Sequence, residues 1–342
     1  MSVMMCEIES LRPILDADRI EVARIRDCDY EFVVQKNAFH EGDLVVYFPL
    51  DSLLPRIILE EIGMWDFAKG KGKLGGKEGN RVRTVRLRDQ ISQGLLADPV
   101  ALHLIESKLG DDVTAILEVD HYEQEPIRVG GSELRPLPIP FYDIWNTEEK
   151  PGILAALSEH ELLVTEKMDG MNFALHYNGE EMFYCQRRYH IADPPPHHVF
   201  RRAAAFDSLE EKIILIFHRA DGKPITIRGE IVGPGIRRNY YDLESQRVFV
   251  FDIDIDGKPL GGREFMDMKI IYDIETVPVL AHGLLSNIVG GKTLREFSNG
   301  QSVIQPTKLR EGIVIRPLEE QMLNGERLIV KQRDPIYLSE EL

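Results

Sequence analysis

Cysteine is scarce in this sequence, and its distribution excludes two kinds of cross-linked scaffold. Among 342 residues there are three cysteines, Cys6, Cys28 and Cys185, which are odd in number and far apart. They match neither a disulfide framework nor the closely spaced ligands of a structural zinc site. We therefore expect a protein of the reducing cytoplasm.

Long apolar runs are also missing. No uninterrupted apolar stretch approaches the roughly 18 residues that a membrane-spanning helix needs. Glu7 and Glu9 follow soon after Met1, which is not typical of a secretory signal peptide. The sequence therefore predicts neither a membrane anchor nor export.

An overall positive charge, common among proteins that bind nucleic acids, is absent as well. The formal net charge is −16, although the distribution of cations matters more than their sum. One segment is dense in cations, namely Lys69, Lys71, Lys73, Lys77, Arg81, Arg83, Arg86 and Arg88. In a strand over Arg81–Leu87, alternate arginines would share one face. The segment is either a solvated surface loop or a contact for a phosphate backbone.

The length of the chain predicts two domains, because a single core rarely grows beyond about 250 residues. Residues 1–118 contain the alternating stretch Ile20–Ile25 and, after a turn, the strand-like run Leu44–Phe48. Short strands at this spacing are typical of a small barrel or sandwich. Residues 119–151, rich in proline and acidic side chains, are predicted to be a linker. Residues 152–342 are predicted to form a succession of β-strands with a few helices, so we expect an α+β fold with antiparallel sheets flanked by helices. The predicted helices are Pro99–Leu109, Ile153–His160 and Val199–Arg219.

The stretch Thr165–Asn172 places a lysine, a carboxylate and a glycine in one short turn between strand-like segments. A lysine at the end of a strand can be held in a pocket, where burial or neighbouring cations favour the uncharged amine that acts as a nucleophile. Gly170 permits a sharp turn and a close approach of a ligand to the backbone. A charged hairpin turn would also produce this short pattern, so the segments that follow decide between the two interpretations.

Five further strand-like segments follow Lys167, and each carries residues suited to nucleotide chemistry. In order, they contain Arg187 with Arg188, Gly229 with Glu230, Phe249 and Phe251 before Asp252, Glu311 with Gly312, and Lys331 with Arg333. This order of segments resembles that of the covalent nucleotidyltransferases, which comprise polynucleotide ligases and RNA capping enzymes. Asn172, five residues after the lysine, resembles RNA ligases in particular.

The N-terminal part of the chain extends the resemblance. The segment Val45–Pro55 is similar to the OB-fold module of one branch of ATP-dependent RNA ligases, in which that module precedes the catalytic domain. DNA ligases and capping enzymes carry an OB domain after the catalytic domain. Only nine residues follow Arg333 in this sequence, so we expect no such domain here.

The resemblance implies an activity. Lys167 would attack the α-phosphate of ATP, release pyrophosphate and hold AMP through a phosphoramide bond. The AMP would pass to an RNA 5′-phosphate, and a 3′-hydroxyl would then displace it. The implied partner is RNA or an RNA-containing nicked duplex, and we expect a monomer. Mg²⁺ or Mn²⁺, which both prefer oxygen ligands and water, would offset phosphate charge and disfavour the ammonium form of the lysine.

The resemblance also assigns roles to carboxylates. Asp169 would bind the ribose or the water shell of the metal ion, and Glu230 would bind ribose hydroxyls or the metal site. Glu311 would hold metal-bound water. The implied catalytic residues are Lys167, Asp169, Glu230, Glu311 and Lys331.

The other implied contacts are made to the nucleotide. Lys331 would grip the α-phosphate. Arg187 would bind phosphate, with Arg188 as the alternative, because strand alternation would put only one of them in the pocket. Phe251 would stack on adenine, with Phe249 on the same face as the alternative.

Three positions complete the implied site. Asn172 would line the nucleotide site near the reacting 3′ end, and Glu166 would make a further nucleotide contact. Arg333 stands where many relatives have a second lysine, which keeps the charge and changes the geometry. Two other functions stay open, a capping-type guanylyltransferase that uses GTP and an RNA-binding protein that has lost catalysis.

Overall fold

The structure is a computed structural model that describes residues 2–28, 30–122, 132–141, 143–147, 152–323 and 325–340. The chain divides into two compact units. Unit 1 consists of Met1–Glu125, Glu148–Pro151 and Leu338–Leu342, and unit 2 consists of Pro126–Thr147 and Gly152–Tyr337. No helix among the described residues is long and apolar enough to cross a membrane.

Unit 1 is built mainly from short strands. They are β1 (Met4–Pro13), β2 (Ile20–Ile25), β3 (Phe32–Gln35), β4 (Leu44–Phe48), β5 (Ser52–Leu53), β6 (Trp65–Asp66), β7 (Lys71–Gly72), β8 (Thr84–Leu87), β9 (Gln90–Gln93), β10 (Leu95–Ala97) and β11 (Asp120–His121). The helix α1 (Arg56–Glu61) lies between β5 and β6.

Five of these strands form an antiparallel sheet in the order β10-β4-β1-β2-β3. Strand β9 lies beside β3, where the amide of Gln93 donates to the carbonyl of Glu31 at 3.0 Å. After Gly94 the chain continues into β10 at the opposite edge of the sheet. The sheet therefore curls into a nearly closed barrel, as predicted.

Strand β4 shows why this barrel is stable. Val46 and Phe48 pack in one apolar cluster, and Val45 and Tyr47 pack in another. An apolar run buried on both faces contributes hydrophobic stabilisation from every side chain.

The helix predicted over Pro99–Leu109 was wrong. These residues form a series of tight turns. His103 has a φ of 58°, which is incompatible with a right-handed helix. The amide of Leu104 donates to the carbonyl of Pro99, five residues earlier, at 2.9 Å.

The strand predicted over Arg81–Leu87 begins only at Thr84. Arg81 pairs with Asp51 at 2.6 Å and lies over the ring of Tyr122 at 3.5 Å. Arg81 is therefore engaged by other side chains of unit 1. Arg81, Arg83 and the later arginines do not form the single row of exposed cations that alternation predicts.

Unit 2 contains the remaining elements. Its strands are β12 (Leu134–Pro136), β13 (Trp145–Asn146), β14 (Glu161–Lys167), β15 (Met171–Tyr177), β16 (Met182–Cys185), β17 (Tyr189–Ile191), β18 (Ile225–Val232), β19 (Arg247–Ile255), β20 (Lys258–Pro259), β21 (Val279–Leu284), β22 (Gly312–Pro317), β23 (Met322–Leu323), β24 (Glu326–Arg327) and β25 (Val330–Arg333). Its helices are α2 (Ile153–Ser158), α3 (Val199–Phe206), α4 (Leu209–Arg219), α5 (Gly262–Tyr272), α6 (Leu285–Val289) and α7 (Leu294–Ser298), and α8 (Pro335–Glu340) begins in this unit.

Two large sheets organise unit 2. Seven strands pair in the order β12-β17-β16-β15-β18-β19-β20, and five pair in the order β13-β25-β22-β14-β21. On β14, Leu162 and Val164 pack in a cluster under the second sheet, whereas Leu163 packs with Phe173 and Ile227 of the first sheet. The two sheets therefore pack face to face. Strands β12 and β13, which form an edge of each sheet, come from the segment predicted as a linker.

The single helix predicted over Val199–Arg219 is two helices. The chain breaks after α3, where Ser208 adopts a φ of 50°. Leu209 and Ile213 are buried on the predicted apolar face, but Phe206 is exposed. The break rotates α4 relative to α3, so one apolar stripe does not continue through both helices.

A charged cluster joins the two sheets. Asp252 on β19 is fully buried, and it accepts hydrogen bonds from Arg316 on β22 at 3.0 Å and from Arg327 at 2.5 Å. Arg316 also donates to the carbonyl of Phe251 at 2.8 Å. A buried charge is tolerated only when it is paired, so this cluster fixes the position of β19 against β22.

Candidate active site

Lys167 is the last residue of β14, as the sequence predicts. Its Nζ lies 2.6 Å from Oε1 of Glu311, the residue that directly precedes β22. Both side chains are mostly buried, with 24% of Lys167 and 12% of Glu311 exposed. A salt bridge in such partial burial restricts the lysine to one position, which places a primary amine at a defined point of the sheet.

The register of the five-stranded sheet brings other cations to the same face. Lys167 is opposite Gly312, which in turn is opposite Arg333 on β25. Lys331 is two residues from Arg333, and side chains two apart on a strand share a face. The predicted nucleophile, the predicted phosphate-binding Lys331 and the predicted nucleotide-site residue Arg333 therefore lie on one face of one sheet.

Glu230 on β18 faces this group from the seven-stranded sheet. Burial raises the pKa of Glu230 to about 8; Lys167 and Arg237 lower it, while Glu311 and Asp169 raise it. The charges of both sheets thus act on one carboxyl group. Glu230 is therefore close enough to Lys167, Glu311 and Asp169 for their charges to change its pKa.

Asp169 is held at several atoms. Its Oδ1 pairs with Arg237 at 2.6 Å, and its Oδ2 accepts a hydrogen bond from the hydroxyl of Tyr337 at 2.6 Å. Its backbone amide donates to the hydroxyl of Tyr241 at 2.7 Å. With both carboxylate oxygens engaged, Asp169 has a fixed orientation beside Lys167.

Asp143 links two further cations. It lies 2.5 Å from the guanidinium of Arg187 and 3.5 Å from Nζ of Lys331. Burial opposes ionisation of Asp143, but Lys331 and Arg187 lower its pKa below the ordinary value. The structure thereby joins two predicted phosphate-binding cations through a carboxylate that the sequence analysis missed.

The choice between Arg187 and Arg188 does not follow from strand alternation. Strand β16 ends at Cys185, so both arginines lie in the bend that leads to β17. Both are exposed, and both guanidinium groups lie over Phe141, at 5.5 and 5.3 Å from the ring centre. Of the two, Arg187 makes the ion pair that connects to Lys331.

The two candidate aromatics occupy different surroundings. Phe249 is buried with Met168 and Tyr241, and Phe251 packs partly buried against the same cluster. A bulge interrupts the pairing of β18 with β19, because Arg228 is opposite Asp252 and the next residue is opposite Val250. Phe251 is the extra residue in this bulge, and a bulge re-aims a side chain. Phe251 is therefore the more accessible ring.

Asn172 and Glu166 complete the predicted set. Asn172 is directly opposite Glu230 in the pairing of β15 with β18. Glu166 is buried, and its Oε2 accepts a hydrogen bond from the amide of Val303 at 2.8 Å. Burial raises the pKa of Glu166, against hydrogen bonds from Ser302 and Val303 that lower it. Because Glu166 alternates with Lys167 along β14, it lies on the opposite face of the sheet from the nucleophile.

Arg237, Tyr241 and Tyr337 were missed as site residues. Arg237 and Tyr241 lie in the connection between β18 and β19, and Tyr337 lies in α8, where no strand or helix period marks them. The sequence signal that could have found Arg237 is the Gly233-Pro-Gly-Ile-Arg-Arg run after the Glu230 strand, a glycine-rich turn carrying two cations.

The carboxylates fit a hydrated cation. Among the residues that the structure describes, no three His, Cys, Asp or Glu side chains are close enough to hold a metal ion directly. Asp169 and Glu311 nevertheless both raise the pKa of Glu230, so negative charge is concentrated there. A divalent cation held through water would relieve this repulsion, and Mg²⁺ and Mn²⁺ favour such oxygen ligands.

The barrel of unit 1 and the lysine between the facing sheets of unit 2 together define the class of protein, a covalent nucleotidyltransferase fold. A sequence model of the RNA ligase family matches residues 160–333, and one of an OB-fold domain matches residues 3–100. The chain belongs to the RNA ligase family. The predicted family, fold class and enzyme class are confirmed, and membership implies an RNA substrate.

Solved structures of an RNA ligase from Naegleria gruberi resemble the chain. A lysine-to-alanine mutant with ATP and Mn is 23% identical, with a TM-score of 0.81 over 99% of each chain. An apo lysine-to-alanine mutant is 25% identical, with a TM-score of 0.81 over 99% of this chain and 98% of that one. The ligase with PPi is 24% identical, with a TM-score of 0.78 over the same shares. No curated protein sequence matches the chain significantly. The structural likeness establishes the fold across both units.

Proposed function

We propose that the protein uses ATP to join RNA 3′-hydroxyl and 5′-phosphate ends through a covalent adenylate on Lys167. The observation that carries the proposal is the position of Nζ of Lys167, 2.6 Å from Glu311, on the sheet face that also carries Lys331 and Arg333. The similar Naegleria gruberi ligase structures with ATP and Mn and with PPi support ATP as the nucleotide.

The first step forms the bond between enzyme and AMP. Nζ of Lys167 attacks the α-phosphorus of ATP, a nitrogen–phosphorus bond forms, the bond to pyrophosphate breaks, and the amine proton leaves to solvent. Because Nζ of Lys167 pairs with Glu311 at 2.6 Å, this ion pair must open before the amine attacks, and other positive charge must then balance Glu311. A divalent cation held through water by Asp169, Glu230 and Glu311 would supply that charge and stabilise the phosphates.

The nucleotide is bound by the surrounding residues. Lys331 and Arg187 exchange Asp143 for phosphate oxygens, and Arg333 adds positive charge on the same sheet face. Phe251, re-aimed by the bulge, stacks on adenine. Glu166, on the opposite face of the sheet, acts on the nucleotide site indirectly, by holding the loop at Val303.

The later steps restore the lysine. An oxygen of the RNA 5′-phosphate attacks the phosphorus of the adenylate, and the nitrogen–phosphorus bond breaks. The 3′-hydroxyl of the second RNA end then attacks the activated 5′-phosphate, and AMP leaves. In this proposal Asn172, which is opposite Glu230, orients the 3′ end.

Covalent labelling tests the first step. The full chain is incubated with Mg²⁺ or Mn²⁺ and either α-labelled ATP or α-labelled GTP, then denatured. We expect label from ATP, its loss in Lys167→Ala, and full label in Lys258→Ala, which removes an exposed lysine elsewhere in unit 2. Label from GTP alone would indicate a capping-type guanylyltransferase. Absence of label from a folded protein would leave an RNA-binding protein without catalysis.

Substrate choice is tested separately. We propose that nicks in RNA-containing duplexes are preferred over open single-stranded ends, and that the RNA-binding module comprises residues 1–118. A nicked duplex and a single strand of the same sequence are compared at equal concentration. Faster sealing of the single strand would contradict this preference without affecting the covalent step.

A further inference from the structure

Phe67 lies at the tip of a short hairpin in unit 1. Its side chain is 75% exposed, more than any other Phe, Tyr or Trp among the residues that the structure describes. Trp65, at the base of the same hairpin, packs against the apolar core of the unit. An exposed aromatic ring forgoes the stabilisation that burial would give. Phe67 therefore contributes little to core packing, and its ring is open to a ligand.

Backbone hydrogen bonds hold the tip in one conformation. Oδ1 of Asp66 accepts from the amides of Ala68 and Lys69 at 3.0 and 3.1 Å. The amide of Gly70 donates to the carbonyl of Asp66 at 2.8 Å. Gly70 has a φ of 63°, which glycine adopts without strain. A closed turn, rather than a loose loop, thus presents the ring of Phe67 to solvent.

A second turn packs against this hairpin. A Cβ atom added to Gly72 would lie 1.9 Å from the carbonyl oxygen of Gly79. The amide of Gly72 donates to the carbonyl of Glu78 at 3.0 Å. This close approach brings Lys77, which precedes Glu78, next to the hairpin. The two turns form one compact projection, residues 65–79, which we call the Phe67 hairpin.

The exposed charges of the Phe67 hairpin are mainly positive. Its exposed cations are Lys69, Lys71, Lys73 and Lys77. Its carboxylates are Asp66, engaged within the tip, and Glu78. This is a cationic surface on a chain of net charge −16. An anionic partner is therefore favoured over an apolar protein segment.

We propose that the Phe67 hairpin binds an unpaired stretch that extends from the duplex RNA substrate. Phe67 stacks on a base, and Lys69, Lys71 and Lys77 contact the phosphates on either side. Stacking platforms flanked by cations bind single-stranded nucleic acid with little sequence preference, because every base has a π-face. The inference rests on the proposed function, since it takes RNA as the ligand.

The test measures RNA binding by the full chain. The probes are a fluorescently labelled RNA duplex with a single-stranded overhang and a fully paired duplex of equal length, and the readout is fluorescence anisotropy. Phe67→Ala should weaken binding of the overhang duplex about tenfold and leave the paired duplex unchanged. Phe67→Trp should retain binding. Ile105→Ala, which removes a side chain that is 74% exposed in the same unit, should have no effect on either probe.

Salt dependence separates the ring from the lysines. A triple variant, Lys69→Ala with Lys71→Ala and Lys77→Ala, should reduce the slope of log K against log salt by about two for single-stranded contacts. Phe67→Ala should leave the slope as it is, because stacking releases no counterions.

Three results would overturn the inference. The first is that Phe67→Ala binds the overhang duplex as tightly as the wild-type protein does. The second is an equal loss in Phe67→Trp, which would indicate a role in the fold. The third is a change in oligomeric state with unchanged RNA binding, which would indicate a protein contact. Covalent labelling by ATP needs no RNA, so Phe67→Ala should label fully. If the wild-type protein is not labelled by ATP, the proposed function is contradicted. The RNA affinities of Phe67→Ala and of the wild type would still decide this inference.

Discussion

The cations around the site of unit 2 and two lysines of the Phe67 hairpin in unit 1 are held in different ways. The ion pairs around the site of unit 2 are Lys167 with Glu311, Arg237 with Asp169, and Lys331 with Asp143. In unit 1, by contrast, Lys71 and Lys77 form no ion pair with any residue that the structure describes. A paired cation has a fixed position, and it can exchange its carboxylate for a phosphate of the nucleotide. An unpaired, exposed lysine suits a flexible polyanion such as RNA, whose phosphates can take several positions along the surface.

The largest effect is expected where a buried pair is broken in unit 2. Asp252→Ala leaves Arg316 buried without the carboxylate that it pairs with, while Arg327 keeps its pair with Glu320. Removal of one partner from a buried pair costs about 3 to 5 kcal/mol. Asp51→Ala removes the partner of Arg81 in unit 1, where both side chains are about one-quarter exposed, and should cost less. Urea unfolding of both variants gives the comparison. Equal losses would contradict the distinction between a buried and a partly exposed ion pair.

A paired cation of the site should matter for chemistry. Lys331→Ala removes the cation that we propose for the α-phosphate and should slow covalent adenylylation by about 100- to 1000-fold, as for loss of one preorganised electrostatic contact. Lys77→Ala, in unit 1, serves as the matched control and should leave the rate unchanged. Rapid-quench labelling with ATP measures both. A similar rate in Lys331→Ala would remove this residue from the site.

The pH dependence of stability reports on Glu230. Its pKa is about 8 in the folded protein against an ordinary 4.5, so the folded state binds more protons between these values. The free energy of unfolding should therefore be highest, as far as this group is concerned, below about pH 4.5 and should fall as the pH rises towards 8. Because Glu230 is partly exposed, solvent screens its charge. We expect the free energy of unfolding to fall by about 2 kcal/mol, which is less than the whole pKa shift would give.

Glu230→Gln isolates this contribution. The variant cannot ionise, so the difference from the wild type should change across this pH range in the absence of metal. Thermal unfolding in EDTA at pH 5, 6.5 and 8 measures it. Parallel curves for the two proteins would show that the carboxyl group titrates normally.

The smallest effect is expected for unpaired cations. Lys71→Ala and Lys77→Ala should each change the free energy of unfolding by less than about 0.5 kcal/mol. Arg81→Ala, which loses an ion pair and the contact with Tyr122, should cost about 1 to 2 kcal/mol. Denaturant unfolding distinguishes them. A large loss in Lys77→Ala would mean that this lysine supports the fold of unit 1.

Local patterns predicted much of the fold. Strand β2 has the predicted bounds because alternation of side chains over six residues specifies a strand. Strand β4 also has its predicted bounds, because a short apolar run that follows a turn is typical of a buried strand. The helix predicted over Pro99–Leu109 was wrong, since one residue with positive φ converts a helical composition into turns. The long helix after Val199 was divided for the same reason at Ser208.

The order of segments, read from the sequence alone, determined the family, the lysine at the end of β14 and the cations of β25. Each of these depends on residues that are close in the chain or two apart on a strand. Tertiary structure alone decided that Asp169 is held by Arg237 and Tyr337 and that Asp143 joins Lys331 to Arg187. Those partners come from loops and from a helix far along the chain, where no periodicity exists and where only packing brings the charges within bonding distance.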